Sequence, residues 1–332
     1  MAEQNQTKPK FRTSIGGQAL IEGILMRGPE KQAIVVRSPE GLVTKVEELT
    51  LIKDKYPILG WPIIRGAVTF LDSMVRGVKA LMFSADYYPE DENVQPSKLD
   101  KWLEEHVPAE KLQSVLVWVS VILSLGLTLL LFMLLPTFIA GLFHARHAAV
   151  HNLIEGAVKI AIFLGYLILC SRQKDVRRVF CYHGAEHKTI FCYEAGLPLT
   201  VENVQKFSRL HPRCGTNFLL IVMLVSIFVF AFLGWPSLGE RIASRIVLLP
   251  VVAGISYEII RLAGRSENKI IQTAIKPGLW LQYLTTRPPE DDMVAVAIES
   301  LKAVLPEEEI IPGTVDYRHA EGTLPKPVEL VP

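Results

Sequence analysis

Excess charge of either sign is nearly missing from this sequence. Its 35 Lys and Arg residues almost cancel 34 Asp and Glu, leaving a formal net charge of +1 over 332 residues. A balanced chain has no broad basic surface, so nucleic acid is not an expected partner. Cysteine is scarce as well. The four thiols, Cys170, Cys181, Cys192 and Cys214, fall in one short window. If that window is cytoplasmic they are reduced thiols or metal ligands, not a disulfide framework. The glycine-punctuated run Ile15–Pro29 has neither the Gly-Lys-Ser/Thr of a phosphate loop nor the G-x-G-x-x-G of a dinucleotide fold. Gly16-Gly17-Gln18 matches the tripeptide of peptide-release factors, but glycines that permit close backbone approach explain it better. No cleavable signal peptide is expected: the first ten residues are polar, and Glu22, Arg27 and Pro29 break the first apolar run.

What is abundant is apolar sequence. Half of the residues are hydrophobic, and they are gathered in blocks. Leu112 to Phe143 contains no charged residue, well beyond the roughly 20 residues that cross a bilayer as a helix. Thr216 to Gly239 is a second uncharged run. Two weaker runs carry charge: Leu153 to Cys170 holds Glu155 and Lys159, and Ile242 to Leu262 holds Arg245, Glu258 and Arg261. The loop from Ser171 to Gly215 contains eight Lys and Arg residues, whereas the connections 144–152 and 237–244 contain one arginine each. The positive-inside rule then puts this loop and both termini in the cytoplasm, which requires four spans.

Outside the spans, Ala33–Arg37 and Leu42–Val46 flank the turn sequence Ser38-Pro-Glu-Gly41 and read as a β-hairpin. Residues 62–85 have helical periodicity, with Arg65, Asp72, Arg76 and Lys79 as a narrow charged stripe on an otherwise apolar cylinder. Such a helix suits the membrane interface or the side of a bundle. A short helix is expected at Leu99–His106 in a polar connector. His144, His147 and His151 read as a solvated interfacial run. Pro277–Pro289 leads into an amphipathic helix over Asp291–Val304 that carries Met293, Val294, Ala297, Ile298, Leu301 and Val304 on one side. The expected fold is mostly α, a four-span transmembrane helical bundle with a small N-terminal β-hairpin, an interfacial amphipathic helix and a cytoplasmic helical cap. The expected divisions are 1–57, 58–110, a membrane domain at 111–265 with a cytoplasmic Cys/His loop at 171–216, and a cap and tail at 266–332.

Chemistry concentrates in Cys181-Tyr-His-Gly-Ala-Glu-His-Lys188. On a helix His183 and His187 share a face, and Glu186 between them completes H-x-x-E-H. This is the inverted form of the zinc-hydrolase pair, two imidazoles for a divalent metal and one carboxylate to take a proton from water. The helix should begin with the second span and end at Gly196, with Pro198 beyond. After a loop come His211 and Cys214. The ligands expected are His183 and His187, with His211 or Cys214 third, and Glu194 or Glu258 as alternatives. Cys181 belongs to the same pool of potential ligands. Glu186 is the expected catalytic base. Cys170 and Cys192 read as small apolar residues.

With these motifs in place, the chain resembles the YqhQ-like family of bacterial multi-pass membrane proteins. The resemblance rests on Ile15–Gly28, Tyr182–Lys188, Phe207–Thr216 and Leu281–Pro288 and covers about residues 13–305. It implies a domain of unknown function, sometimes described as a predicted metal-dependent enzyme. The expected activity is a zinc-type hydrolase in the bacterial inner (plasma) membrane, with both termini cytoplasmic. The expected contacts are the lipid bilayer and a membrane-protein partner or a second copy. The competing expectation is a non-catalytic assembly protein with a structural Cys/His cluster.

Overall fold

The computed structural model describes residues 11–49, 56–88, 109–143, 147–233, 237–266 and 268–305. The expectations for the first ten residues, the helix at Leu99–His106, His144 and the C-terminal tail lie outside these residues. In chain order the elements are β1 (Gly16–Leu20), β2 (Gly23–Arg27), β3 (Lys31–Ser38), β4 (Gly41–Glu48), α1 (Ile64–Asp86), α2 (Ala109–Leu129), α3 (Leu135–Gly141), α4 (Ala148–Cys170), α5 (Lys174–Glu194), α6 (Val201–Gln205), α7 (Gly215–Ala231), α8 (Leu238–Arg265), α9 (Lys269–Ala274), α10 (Lys276–Thr285) and α11 (Asp291–Lys302). The chain divides into two compact units, one of residues 1–88, 167–226 and 242–332, the other of 89–166 and 227–241.

In the first unit the expected hairpin is present, with Ser38 opposite Gly41 across a two-residue turn. It is half of a larger object, an antiparallel sheet in the order β1-β2-β3-β4. The glycine-punctuated run supplies the other two strands. Their turn holds Glu22 at φ 48, a left-handed conformation uncommon for a residue with a side chain. Arg178 Nε and Nη2 both donate to the Glu22 carboxylate, and Tyr182 Oη donates at 3.1 Å, so tertiary contacts hold a turn that local chemistry does not favour.

Both faces of the sheet are buried. Ile24, Met26, Ala33 and Val35 pack with Tyr182 and Ala185 of α5 and Met293, Val294, Ala297 and Leu301 of α11. Leu20, Leu25, Ile34 and Val36 pack on Ala80 of α1. Helix α11 has the expected apolar face, with Asp291 and Asp292 in its first turn and Lys302 in its last, the polarity that the helix dipole favours. It was expected to cap the membrane bundle; it covers the sheet and α5.

Helix α1 is amphipathic in an inverted sense. Gly66, Gly77, Ala80 and Ser84 are buried, while Leu71, Met74, Val75, Val78 and Met82 are each more than half exposed. Three of its charges are drawn into ion pairs, while Lys79 is exposed: Asp72 takes Arg76 at 2.8 Å and Arg27, and Arg65 grips the Glu258 carboxylate of α8 at 2.7 and 2.5 Å. A soluble helix puts its apolar stripe inside. An exposed stripe of this length suits lipid.

Three described helices are long and apolar enough to cross a membrane: Val119–Gly141, Ala149–Cys170 and Gly239–Gly264. The ranking differs from the hydropathy of the sequence. The two charged runs give long helices, whereas the uncharged Thr216–Gly239 run gives the 17-residue α7. Its sequence continues into Gly234-Trp-Pro236, which stops a helix, whereas isolated charges do not. In the second unit a π-turn at Leu130–Leu134 lies just ahead of Pro136 in α3. The wider turn accommodates a residue that lacks an N–H and crowds the preceding carbonyls.

Candidate metal centre

Helix α5 carries the H-x-x-E-H residues through the middle of the first unit. It ends as the sequence indicates, at Glu194 before Gly196, whose φ of 64° lets Gly196 and Leu197 N–H close on the last turn at Tyr193 and Cys192. Its start differs from expectation. The helix does not continue from α4, because Ser171–Gln173 form a turn, and α5 starts afresh with Asp175 in its first turn.

His183 and His187 face each other with ring centroids 4.4 Å apart. Each ring is fixed through Nδ1. His183 Nδ1 lies 2.8 Å from the Thr285 carbonyl and His187 Nδ1 lies 2.5 Å from the Arg209 carbonyl. A carbonyl only accepts, so each Nδ1 carries a proton, and in the neutral ring Nε2 presents its lone pair, the pattern of metal-ligating histidines. His183 Nε2 points at Cys214 Sγ, 3.1 Å away. Cys214 is buried immediately ahead of α7, and its sulfur accepts the Thr216 N–H at 3.4 Å. One donor atom from each of His183, His187 and Cys214 lies within 4.8 Å of the others. Donors sharing an ion at roughly 2.0–2.3 Å stand at most about 4.6 Å apart, so the group needs only small shifts to close on one. Two imidazoles and a thiolate are a donor set that zinc selects.

His211 stands beside this group. Its ring is 5.4 Å from that of His187, but Nε2 is turned to Arg213 at 3.3 Å. Burial, then the charges of His187, Arg213 and His183, hold its pKa well below the ordinary value, so it stays neutral. The two carboxylates proposed as alternatives are occupied elsewhere: Glu194 pairs with Arg213 and accepts the Thr13 N–H, and Glu258 pairs with Arg65.

Glu186 is buried against β1. A Cβ on Gly17 would lie 3.0 Å from the Glu186 Cδ and 2.7 Å from the Leu25 carbonyl, so the glycine is required for close approach. Burial raises the Glu186 pKa, and the His183 charge and the Gly17 N–H oppose that rise only in part. Its Oε2 has no hydrogen-bond partner among the described residues, an acceptor available to a water or a substrate proton.

Sequence patterns did not reveal what holds the centre in place. Gln282, fully buried, clamps His211 by both backbone groups, accepting its N–H at 2.7 Å and donating to its carbonyl at 2.7 Å, with a further bond to Asn217 Oδ1 at 3.1 Å. Gly184 lies under the 285–289 segment, where a Cβ would come 2.2 Å from the Arg287 carbonyl. These contacts join residues about 70–100 positions apart and leave no periodic signal.

Cys192 is the buried small residue expected. Desolvation pushes its thiol up to about 12. A maleimide at pH 8 should therefore leave Cys192 unlabelled in the folded protein and label it on unfolding, as read by mass spectrometry. Rapid labelling of the folded protein at this position would contradict that burial.

The sequence pattern of the family described as "Protein of unknown function (DUF1385)" matches residues 61–307. The "Uncharacterized protein YqhQ" of Bacillus subtilis (strain 168) is 36% identical over 310 residues, covering 90% of this chain and 94% of that protein. No solved structure matches. On the extent of both matches, the chain belongs to the DUF1385 family.

Proposed function

We propose that this protein is a multi-pass membrane hydrolase dependent on a divalent metal, zinc by its donor set, with the H-x-x-E-H site on the cytoplasmic side. The observation that carries the reading is the convergence of His183, His187 and Cys214, with both imidazoles held by backbone carbonyls so that Nε2 is free to ligate. Three protein ligands with a fourth position left open is the catalytic arrangement, whereas four closes a structural site. A bound cation would supply Lewis-acid polarisation of a water and of the scissile oxygen. The chain's own contribution is proton handling: Glu186, desolvated and with Oε2 available, accepts the proton of the attacking water and returns it to the leaving group. The eight cations of the 171–215 loop support the cytoplasmic assignment. Helix α7, about 26 Å long at 1.5 Å per residue, is the fourth span in this reading.

Elemental mass spectrometry of the detergent-purified protein tests the proposal. Near-stoichiometric metal is expected in the wild type, and none in His183→Ala/His187→Ala. Metal-free wild type after reconstitution would sink the hydrolase reading. The deep burial of His187, Cys214 and His211 favours one second reading, a closed structural cluster in a membrane assembly protein. Under that reading the metal remains but Glu186 is dispensable.

A further inference from the structure

The face of the sheet turned to α1 is apolar at one end and polar at the other. Leu20, Leu25, Ile34 and Val36 close on Ala80 of α1. Beyond them, strand register places Gly16, Arg27 and Gln32 in one row across β1, β2 and β3. Between this row and the first half of α1 lies a cavity of about 690 Å³, bordered also by Tyr257 and Arg261 of α8. All of its wall belongs to the first unit. A Cβ on Gly16 would meet no atom within 4 Å. The volume falls in the range of small-molecule sites, roughly 300–1,000 Å³.

Four guanidiniums and one carboxylate, Asp72, line this cavity. Asp72 pairs with both Arg27 and Arg76. Glu258 pairs with both Arg65, at 2.5 Å, and Arg261, at 3.9 Å. Each carboxylate thus serves two cations, and two positive charges are left over. Their donors are not used up. Arg76 bonds Asp72 through Nε, and the Arg261 contact is too long for a hydrogen bond. Gln32, 4% exposed, gives its Nε2 to Glu47 at 2.6 Å, while its buried Oε1 has no hydrogen-bond partner among the described residues. A surplus of cations and an unused amide acceptor call for a ligand that brings negative charge and a hydroxyl.

The setting is apolar on the outside. Turned away from the cavity, α1 exposes Leu71, Met74, Val75 and Val78. Tyr257 and Arg261 stand near the end of α8, a helix long and apolar enough to cross a membrane. Tyrosine and arginine favour the level of lipid headgroups.

We propose that this cavity binds the headgroup of an anionic phospholipid. Its phosphodiester supplies negative charge that Asp72 and Glu258 leave unmatched, in a form guanidiniums recognise well. A zwitterionic headgroup would bring a further cation to a wall already in surplus. A lipid also accounts for the exposed apolar stripe beside the cavity, which a soluble phosphate compound would not. The site does not depend on the hydrolase reading, because Glu186 and the histidines lie on the α5 side of the sheet.

The test is thermal unfolding of the full-length protein in non-ionic detergent at constant ionic strength. The additions are short-chain phosphatidylglycerol, phosphatidylcholine of the same chain length, and glycerol phosphate. A rise of a few degrees with phosphatidylglycerol, and little or none with the other two, is expected. Arg76→Gln/Arg261→Gln leaves one cation for each carboxylate and should lose most of that rise. Gly16→Leu puts a side chain into the cavity and should lose it as well, so a failure of either variant to fold leaves the other to decide. Lys31→Gln/Lys79→Gln removes two exposed cations that do not line the cavity and should keep the rise. No rise with phosphatidylglycerol, or a rise that survives in the cavity variants, overturns the site. An equal loss in the lysine variant also overturns it, because attraction to a basic surface then suffices. An equal rise with glycerol phosphate overturns the lipid and assigns the cavity to a soluble phosphorylated compound.

Discussion

Replacing Glu186 by Gln should leave bound metal at the wild-type level, lower turnover by about 10²–10⁴-fold and raise the melting temperature of the metal-free protein. The first two outcomes follow from its assignment: Glu186 is not one of the three grouped donors, and an amide cannot accept the proton of water. The third follows from burial. Desolvation raises the carboxyl pKa above its ordinary 4.5, so the folded state favours the proton. That preference contributes fully below pH 4.5 and is lost as pH rises through the elevated value. At neutral pH the carboxylate is therefore a burden on the metal-free fold, which a neutral amide of the same shape removes. The stability profile of Glu186→Gln should accordingly be flatter than that of wild type between pH 4.5 and neutrality. Complementation of cells lacking the protein, with melting curves of the purified variant, reads both effects. If Glu186→Gln restores function fully, the cluster is structural and the hydrolase reading fails.

Gln282→Leu should be among the most damaging single substitutions on the cytoplasmic side of the proposed topology. The side chain is fully buried and makes three hydrogen bonds, two of them to the backbone of His211. Leucine fills much of the same volume but leaves an N–H and two acceptor oxygens without these partners. The His211 carbonyl keeps a 3.5 Å bond from Asn217 Nδ2, so two groups are orphaned; at about 1–3 kcal/mol each, the loss is roughly 2–6 kcal/mol, a large share of the typical stability of a domain. The His211–Cys214 turn is what Gln282 holds in register with α5, so metal retention should fall as well. A melting temperature within a degree or two of wild type, with metal retained, would show that the turn keeps its place without the clamp.

Several elements were legible because their signals are local. The α1 helix follows from its period, α11 from its apolar face, and the β3–β4 hairpin from Ser38-Pro-Glu-Gly41. Helix spacing alone put His183 and His187 side by side, and Gly196 marked the end of α5. The missing half of the sheet was illegible for a physical reason: its turn places Glu22 at positive φ, held by Arg178 and Tyr182, which follow more than 150 residues later. Freedom from charge likewise did not rank the apolar runs by helix length, since the two charged runs give the longer helices and the uncharged Thr216–Gly239 run gives the 17-residue α7. Within the candidate centre, spacing supplied the donor types but not which of His211 and Cys214 lies with the two histidines. That grouping depends on Arg213 drawing the His211 Nε2 aside and on carbonyls at Arg209 and Thr285 aiming the other two rings.

The manner in which α11 covers the sheet has a consequence for biogenesis. Strands β2 and β3 leave the ribosome long before the helix that shields one of their faces, which is the last element described, ending at Lys302. The three described helices long and apolar enough to cross a membrane are synthesised in between. The N-terminal strands must therefore wait, partly uncovered, while the hydrophobic helices are made, and the same delay applies to Gln282 and Thr285, which position the histidines. The centre can assemble only after the helices that precede these residues have been synthesised, so a chain interrupted during insertion has the H-x-x-E-H motif but not the arrangement that brings its imidazoles to bear.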